Sequence, residues 1–64
     1  MREWNLHIEV DPAVKLPPVL PHSLVEPGPS RPYMLKRARL WRRDLGANVD
    51  LMIERDGAFE EVEL

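Results

Sequence analysis

Strict alternation of apolar and polar residues marks the start of the chain. The apolar positions are Trp4, Leu6, Ile8 and Val10, and the polar positions between them are Asn5, His7 and Glu9. A period of two is typical of a β-strand with one buried face. Asp11-Pro12 ends the pattern because a proline and its preceding residue favour a turn. The pattern predicts a strand over about residues 3–10.

A second alternation surrounds Asp56-Gly57, a dipeptide typical of two-residue β-hairpin turns. The turn pairs Arg55 with Ala58, which predicts strands over about residues 48–55 and 58–64. In this register one face of the hairpin collects Val49, Leu51, Ile53, Val62 and Leu64. The turn chemistry and the side-chain pattern therefore predict the same register.

Residues 33–45 have two interpretations. As a strand over about 35–43, the segment would pair with residues 48–55 and set its basic side chains beside acidic ones. This interpretation gives a mostly β fold, with a small antiparallel sheet and a meander, and we prefer it. As a helix, the segment would place Met34, Ala38, Trp41 and Leu45 on one stripe, with Pro32 in the first turn and Gly46 as the stop. The fold would then be α+β.

All seven prolines lie between residues 12 and 32. Proline removes a backbone donor, so residues 11–32 form neither a regular helix nor a central strand. Aliphatic residues are interleaved with the prolines, which distinguishes the segment from a polar linker. One interpretation is an extended arm lying in a groove of this chain or of a partner. The other is a surface loop that packs a few aliphatic side chains beneath it.

The 64 residues predict a single small domain, 1–64, with a core of marginal stability. The absence of cysteine excludes disulfides and thiolate metal sites, and no cofactor is expected. No apolar run approaches the roughly 20 residues that span a bilayer. We therefore expect a soluble, cytoplasmic chain without a membrane partner.

The net charge of −2 conceals a strong segregation. Residues 31–43 carry six basic residues and no acidic one, whereas residues 44–64 carry seven acidic residues and only Arg55 as a base. Basic residues close to aromatic residues, here Tyr33 and Trp41, are typical of proteins that bind RNA or single-stranded DNA. The candidate nucleic-acid contacts are Lys36, Arg37, Arg39, Arg42 and Arg43. The acidic hairpin that follows argues against this function because it would repel phosphate.

Residues 46–57, GANVDLMIERDG, followed by Val62-Glu63-Leu64, resemble the core hairpin of the PD-(D/E)XK, restriction-endonuclease-like nucleases. The resemblance implies metal-dependent phosphodiester cleavage, with Asp50 and Glu63 as the metal ligands. The sequence has no match to the lysine of that motif. Mg²⁺ needs several oxygen ligands beyond these two carboxylates, and no general base or charge-neutralising lysine is placed nearby. The resemblance thus implies at most a degenerate nuclease fragment.

A small sheet together with an aliphatic, proline-rich arm favours a non-enzymatic interaction protein or an accessory subunit. It would dock on a larger protein partner, or self-associate as a homo-oligomer, through the arm and a sheet edge. Trp41 would be exposed in the strand interpretation and could contact a partner. The candidate partner-binding residues are Leu16, Val19, Leu20, Leu24, Val25 and Trp41.

Overall fold

A computed structural model describes residues 3–63 of the chain. It shows a four-stranded antiparallel sheet with one helix packed on one face. The elements, in chain order, are β1 (Trp4–Val10), β2 (Ser23–Gly28), α1 (Arg31–Leu45), a 3₁₀ turn (Gly46–Asn48), β3 (Val49–Arg55) and β4 (Ala58–Glu61). The strand order is β2-β1-β3-β4, so β1 lies inside the sheet.

The core lies between α1 and the sheet. Register pairs Leu6 with Ile53, Ile8 with Leu51, and Val10 with Val49, so the apolar positions of β1 and β3 share one face. The helix and the end of the hairpin complete this core. Its buried residues are Leu6, Ile8, Val10, Met34, Ala38, Val49, Leu51, Ile53 and Val62, and no described polar side chain is buried with them. The period-two pattern therefore assigned the core face correctly.

The β3–β4 hairpin has the predicted register. Arg55 pairs with Ala58 and Ile53 with Glu60, and the Val62 amide donates to the Leu51 carbonyl at 2.9 Å. Asp56 and Gly57 have φ values of 54° and 84°, which is the left-handed pair that this type of two-residue turn requires. The second strand was predicted to run to Leu64, which lies outside the described residues, but β4 ends at Glu61.

The preferred strand over residues 35–43 is wrong, and the helical alternative is confirmed. Ser30 is the N-cap, and its side chain accepts a hydrogen bond from the Tyr33 amide at 3.3 Å. Gly46 ends the helix with φ 59°. The helix buries Met34 and Ala38, whereas the strand offered mainly cross-strand charge pairs worth about 0.2–1 kcal/mol each. In addition, β1 occupies the side of β3 that the proposed strand needed.

The proline-rich segment is divided between a loop and an edge strand. Residues 11–22 form a loop with two turns, and Val14 and Leu16 pack from it against the core. The ring nitrogen Nε2 of His22 lies 2.8 Å from the Val14 carbonyl oxygen and ties the two ends of this loop together. Residues 23–28 form β2, so the interpretation of 11–32 as one extended arm is wrong in this part.

The two sheet edges differ. The Val10 amide donates to the His22 carbonyl, so by alternation the backbone groups of Ser23, Val25 and Pro27 point away from β1. Pro27 therefore occupies a position where no ladder donor is lost. On the other side of the sheet, β4 is a short edge strand that contains no proline. The N-terminal strand β1 is interior and has no free edge.

Candidate protein-interaction surface

The sheet has one face that no other element of residues 3–63 covers. We call it the open face and define it as the strand side chains that point away from α1. By register it consists of Asn5, His7, Glu9, Ser23, Val25, Pro27, Asp50, Met52, Glu54, Phe59 and Glu61. The helix packs only on the opposite side. Half of the sheet surface is thus left to solvent.

The open face has an apolar centre. Val25, Met52 and Phe59 are 52%, 40% and 58% exposed. Val25 and Met52 flank His7 on the two neighbouring strands, and the Phe59 ring lies 4.9 Å from the His7 ring. These side chains form one patch across all four strands. Contiguous exposed apolar groups of this kind are typical of contact surfaces.

The charges on the open face are all acidic. Arg55 is the only base in the four strands, and it lies on the helix side, with its guanidinium carbon 5.0 Å from the centre of the Trp4 ring. Glu9 and Asp50 are directly opposite each other in the register of β1 and β3. The carboxylates on this face are Glu9, Asp50, Glu54 and Glu61.

Asp50, one of the two metal ligands implied by the nuclease resemblance, lies on the open face, whereas the other, Glu63, follows the end of β4. Asp50 also borders a cleft of about 590 Å³ at one end of the sheet, together with Glu9, Asp11 and His22. Residues 3–63 contain no group of three or more histidine or acidic side chains arranged to hold a metal ion.

Glu54 organises the polar part of the open face. Its carboxylate accepts hydrogen bonds from the Gly57 amide at 3.1 Å and from the Asn5 side chain at 3.2 Å, and it lies 3.2 Å from His7 Nε2. The bond from the Gly57 amide, followed by the contact with His7, lowers the pKa of Glu54 below its ordinary value. The cluster holds His7 in place beside the apolar patch.

The six basic residues of segment 31–43 lie on α1, and three of them bind within the chain. Arg31 donates to both carboxylate oxygens of Glu60 on β4. Arg37 donates to both oxygens of Glu26 on β2, at 3.2 and 3.0 Å, and this contact raises the pKa of Arg37. The indole N–H of Trp41 donates to the same carboxylate at 3.4 Å. Arg42 donates to the Gly46 and Val49 carbonyls at 2.8 and 2.7 Å. Arg37 and Arg42 therefore secure the helix rather than face solvent freely.

Three other bases form an outer stripe, which we define as Lys36, Arg39 and Arg43. Their spacing places them on the side of α1 that faces away from the sheet, and all three are exposed. Arg43 lies 3.6 Å from Asp44. Lys36 and Arg39 have no carboxylate partner among residues 3–63. The charge segregation of the sequence is thus a segregation between two faces of the molecule.

The structure does not bring the six candidate partner-binding residues onto one surface. Leu16, Leu24 and Trp41 pack partly against the chain's own core. Val25 lies on the open face. Val19 is 86% exposed in the loop, and Leu20 is 42% exposed and adjoins α1.

Leu20 and Trp41 meet at a groove on the helix layer. The groove has a volume of about 350 Å³ and is formed by Leu20, Arg37, Leu40, Trp41, Arg43 and Asp44. Leu40 is 37% exposed there. Trp41 was expected to be exposed from the strand interpretation, but it is half-buried on the helix and its indole N–H is already bonded.

Sequence reasoning missed Met52, Phe59 and Leu40 as candidate contacts. The alternation that assigned Leu51 and Ile53 to the core also places Met52 on the other side, and Phe59 follows from the hairpin register. Leu40 required the helix, because only helical spacing sets it beside Trp41 and close to the loop. The signal for the open face was present in the sequence, but it required the assumption that one face is left uncovered.

No known protein family, curated protein or solved structure matches this chain. Among the described residues, no helix has the length and apolar character needed to cross a membrane.

Proposed function

We propose that this chain is a small, non-enzymatic interaction protein whose open face docks on a protein surface. The observation that carries this proposal is the apolar patch of Val25, Met52 and Phe59 within a face whose charges are all acidic. Burying an apolar side chain of this size is worth roughly 1.5–3 kcal/mol. The core on the other side of the sheet does not use these residues.

The chemistry of the open face defines the kind of partner. A complementary surface would be apolar at its centre and basic at its rim, since charge complementarity guides encounter and excludes acidic surfaces. Four strands about 4.8 Å apart and some 20 Å long give a face of roughly 400 Å². A contact burying about 800 Å² in total belongs to the smaller, transient interfaces. We therefore expect binding in the micromolar range.

Serine variants of exposed apolar residues show whether the open face or the proline-rich segment is the docking surface. Tagged wild type, Val25→Ser, Phe59→Ser and Val19→Ser would be used for pull-downs from the native cell, and a recovered protein would be purified and titrated against each. We expect Val25→Ser and Phe59→Ser to weaken binding at least tenfold, while Val19→Ser binds like wild type. Loss of binding in Val19→Ser alone would show that the loop docks instead.

Nucleic-acid binding is a second candidate because Lys36 and Arg39 face outward without a carboxylate partner. Phosphate contacts require such free cations, and each contact makes affinity fall with salt. The test is fluorescence anisotropy with a single-stranded RNA at low salt, comparing wild type with Lys36→Gln/Arg39→Gln/Arg43→Gln. Binding that this variant loses would support the function, and no binding by wild type would exclude it.

A further inference from the structure

The open face and the groove on the helix layer are complementary surfaces on the same chain. The open face presents Phe59, 58% exposed, beside Glu61. The groove presents Leu20, Leu40 and Trp41 as an apolar floor, and its polar lining is Arg37, Arg43 and Asp44. Arg37 is bonded to Glu26 and Arg43 lies beside Asp44, so the bases next to the groove without a carboxylate partner among residues 3–63 are Lys36 and Arg39 of the outer stripe. One surface offers an apolar knob next to acids, and the other an apolar recess next to bases.

We propose that the partner of the open face is a second copy of this chain, with Phe59 of one copy seated in the groove of the next. This inference rests on the proposed function and names its partner. The groove volume of about 350 Å³ accommodates a single aromatic side chain. In this arrangement Glu61 faces the outer stripe of the neighbouring copy, which includes Arg43.

Charge supports this head-to-tail contact over a symmetric one. Two open faces packed against each other would oppose acids with acids, because no strand base lies on that side. Packing the open face on the helix layer instead pairs carboxylates with Lys36, Arg39 and Arg43. Like-charge juxtaposition across an interface costs several kcal/mol, so the symmetric arrangement is disfavoured.

The position of the two surfaces decides the form of the assembly. The knob lies on the sheet layer and the groove on the helix layer, so each copy keeps one unused surface after the first contact. A contact between different surfaces closes into a ring only if its rotation permits; otherwise it adds copies without limit. The average mass should therefore rise beyond that of a dimer as concentration increases.

Two variants, each lacking one surface, test this arrangement. Phe59→Ser removes the knob and keeps the groove, whereas Leu20→Glu/Leu40→Glu blocks the groove and keeps the knob. Both changes affect exposed side chains, and circular dichroism verifies folding. Val19→Glu, in the same loop as Leu20 but outside the groove, is the matched control.

The measurement is sedimentation velocity at low salt up to about 1 mM protein, a range suited to a small interface. We expect wild type and Val19→Glu to increase in mass with concentration, and Phe59→Ser and Leu20→Glu/Leu40→Glu each to remain monomeric alone. Their equimolar mixture should give a 1:1 dimer of twice 7.5 kDa and nothing larger. Added salt at 1 M should weaken both assemblies, because it reduces the screening length to about 3 Å.

Three results would overturn the inference. The first is a wild type that stays monomeric throughout the concentration range. The second is a mixture that forms no dimer. The third is a groove variant that associates as wild type does while Phe59→Ser does not, which would indicate open faces packed symmetrically. If self-association failed in one of these ways but Phe59→Ser abolished binding to a separate protein, the proposed function would stand. Only the second copy as the partner would be excluded.

Discussion

The two faces of the sheet are built from the same strands but have different compositions. On the helix side, alternate residues of β1 and β3 are buried and apolar, and no described polar side chain is enclosed with them. On the open side, the neighbouring residues are acidic and neutral polar side chains together with the exposed apolar residues Val25, Met52 and Phe59. The helix-side face accounts for folding by itself, since the core is complete without any open-face residue.

The difference between the two faces supports the proposal that the open face binds a partner. A sheet face that served only solubility would not need three exposed apolar side chains in one patch. Nor would it need Glu9 and Asp50 directly opposite each other, because like charges at such positions are destabilising. Both features have a purpose if the open face binds a basic, apolar surface.

Truncating two neighbouring residues of β3, one on each face of the sheet, should give the largest difference in stability between the two faces. Leu51→Ala should cost about 2–5 kcal/mol because it leaves a cavity in the core, and the domain could unfold at room temperature. Met52→Ala should change stability by no more than about 0.5 kcal/mol. Urea titration followed by circular dichroism measures both. If Leu51→Ala and Met52→Ala lost the same free energy of unfolding, the open face would be part of the core.

Two glutamates offer the next largest difference. Glu26→Gln should destabilise the fold by about 1 kcal/mol because it removes the charged acceptor for Arg37 and Trp41. Glu61→Gln should have almost no effect, since Glu61 has no hydrogen-bond or ion-pair partner among the described residues. Thermal denaturation of the two variants makes the comparison. A larger loss for Glu61→Gln would show that the open face contributes to folding.

The opposed carboxylates predict a gain in stability. Asp50→Asn should stabilise the chain by about 0.2–1 kcal/mol by relieving repulsion with Glu9. In a Glu9→Gln background the same substitution should give no gain, which makes the pair a double-mutant cycle. Chemical denaturation at low salt is the appropriate measurement. If the Asp50→Asn variant were less stable than wild type, the carboxylates of Asp50 and Glu9 would not destabilise the folded chain by repulsion.

The smallest predicted effect is a contribution of Glu54 to acid sensitivity. The pKa of Glu54 is lowered from about 4.5, chiefly by the Gly57 amide. A lowered folded-state pKa contributes stability above pH 4.5 that is lost as pH falls through the folded value. Glu54→Gln should therefore lose less stability than wild type between pH 5 and about pH 3, with Glu61→Gln as the control. Identical pH profiles for wild type and Glu54→Gln would contradict the hydrogen-bond network.

The strands that alternate could be predicted from the sequence, and the segment that alternates poorly could not. Residues 4–10 and 49–61 have period-two patterns and a turn that admits one register. Residues 33–45 carry Met34, Ala38 and Trp41 at helical spacing, but charges that also suit a strand. Tertiary structure decides between the two interpretations, because β1 takes the position beside β3, and the core is then covered by α1 together with Val14 and Leu16 of the loop.

The candidate surface was less accessible to sequence reasoning. The proline content led us to predict docking residues between positions 16 and 25. In the structure, Leu16 and Leu24 pack inward and β2 extends the sheet. Proline at position 27 was compatible with a strand because its missing amide faces the free edge. The alternating residues of β1 and β3 assigned the face that α1 covers, but they did not show that the opposite face is left uncovered, because that depends on where the rest of the chain packs.

Site-specific photocrosslinking in the native cell tests most directly whether the open face is the binding surface. A photoreactive phenylalanine analogue would replace Phe59 in one variant and Val19 in another, so that the open face and the loop are compared in the same protein. We predict covalent adducts from position 59, to a second copy or to another protein, and none from position 19. Adducts from position 19 with none from position 59 would contradict the account.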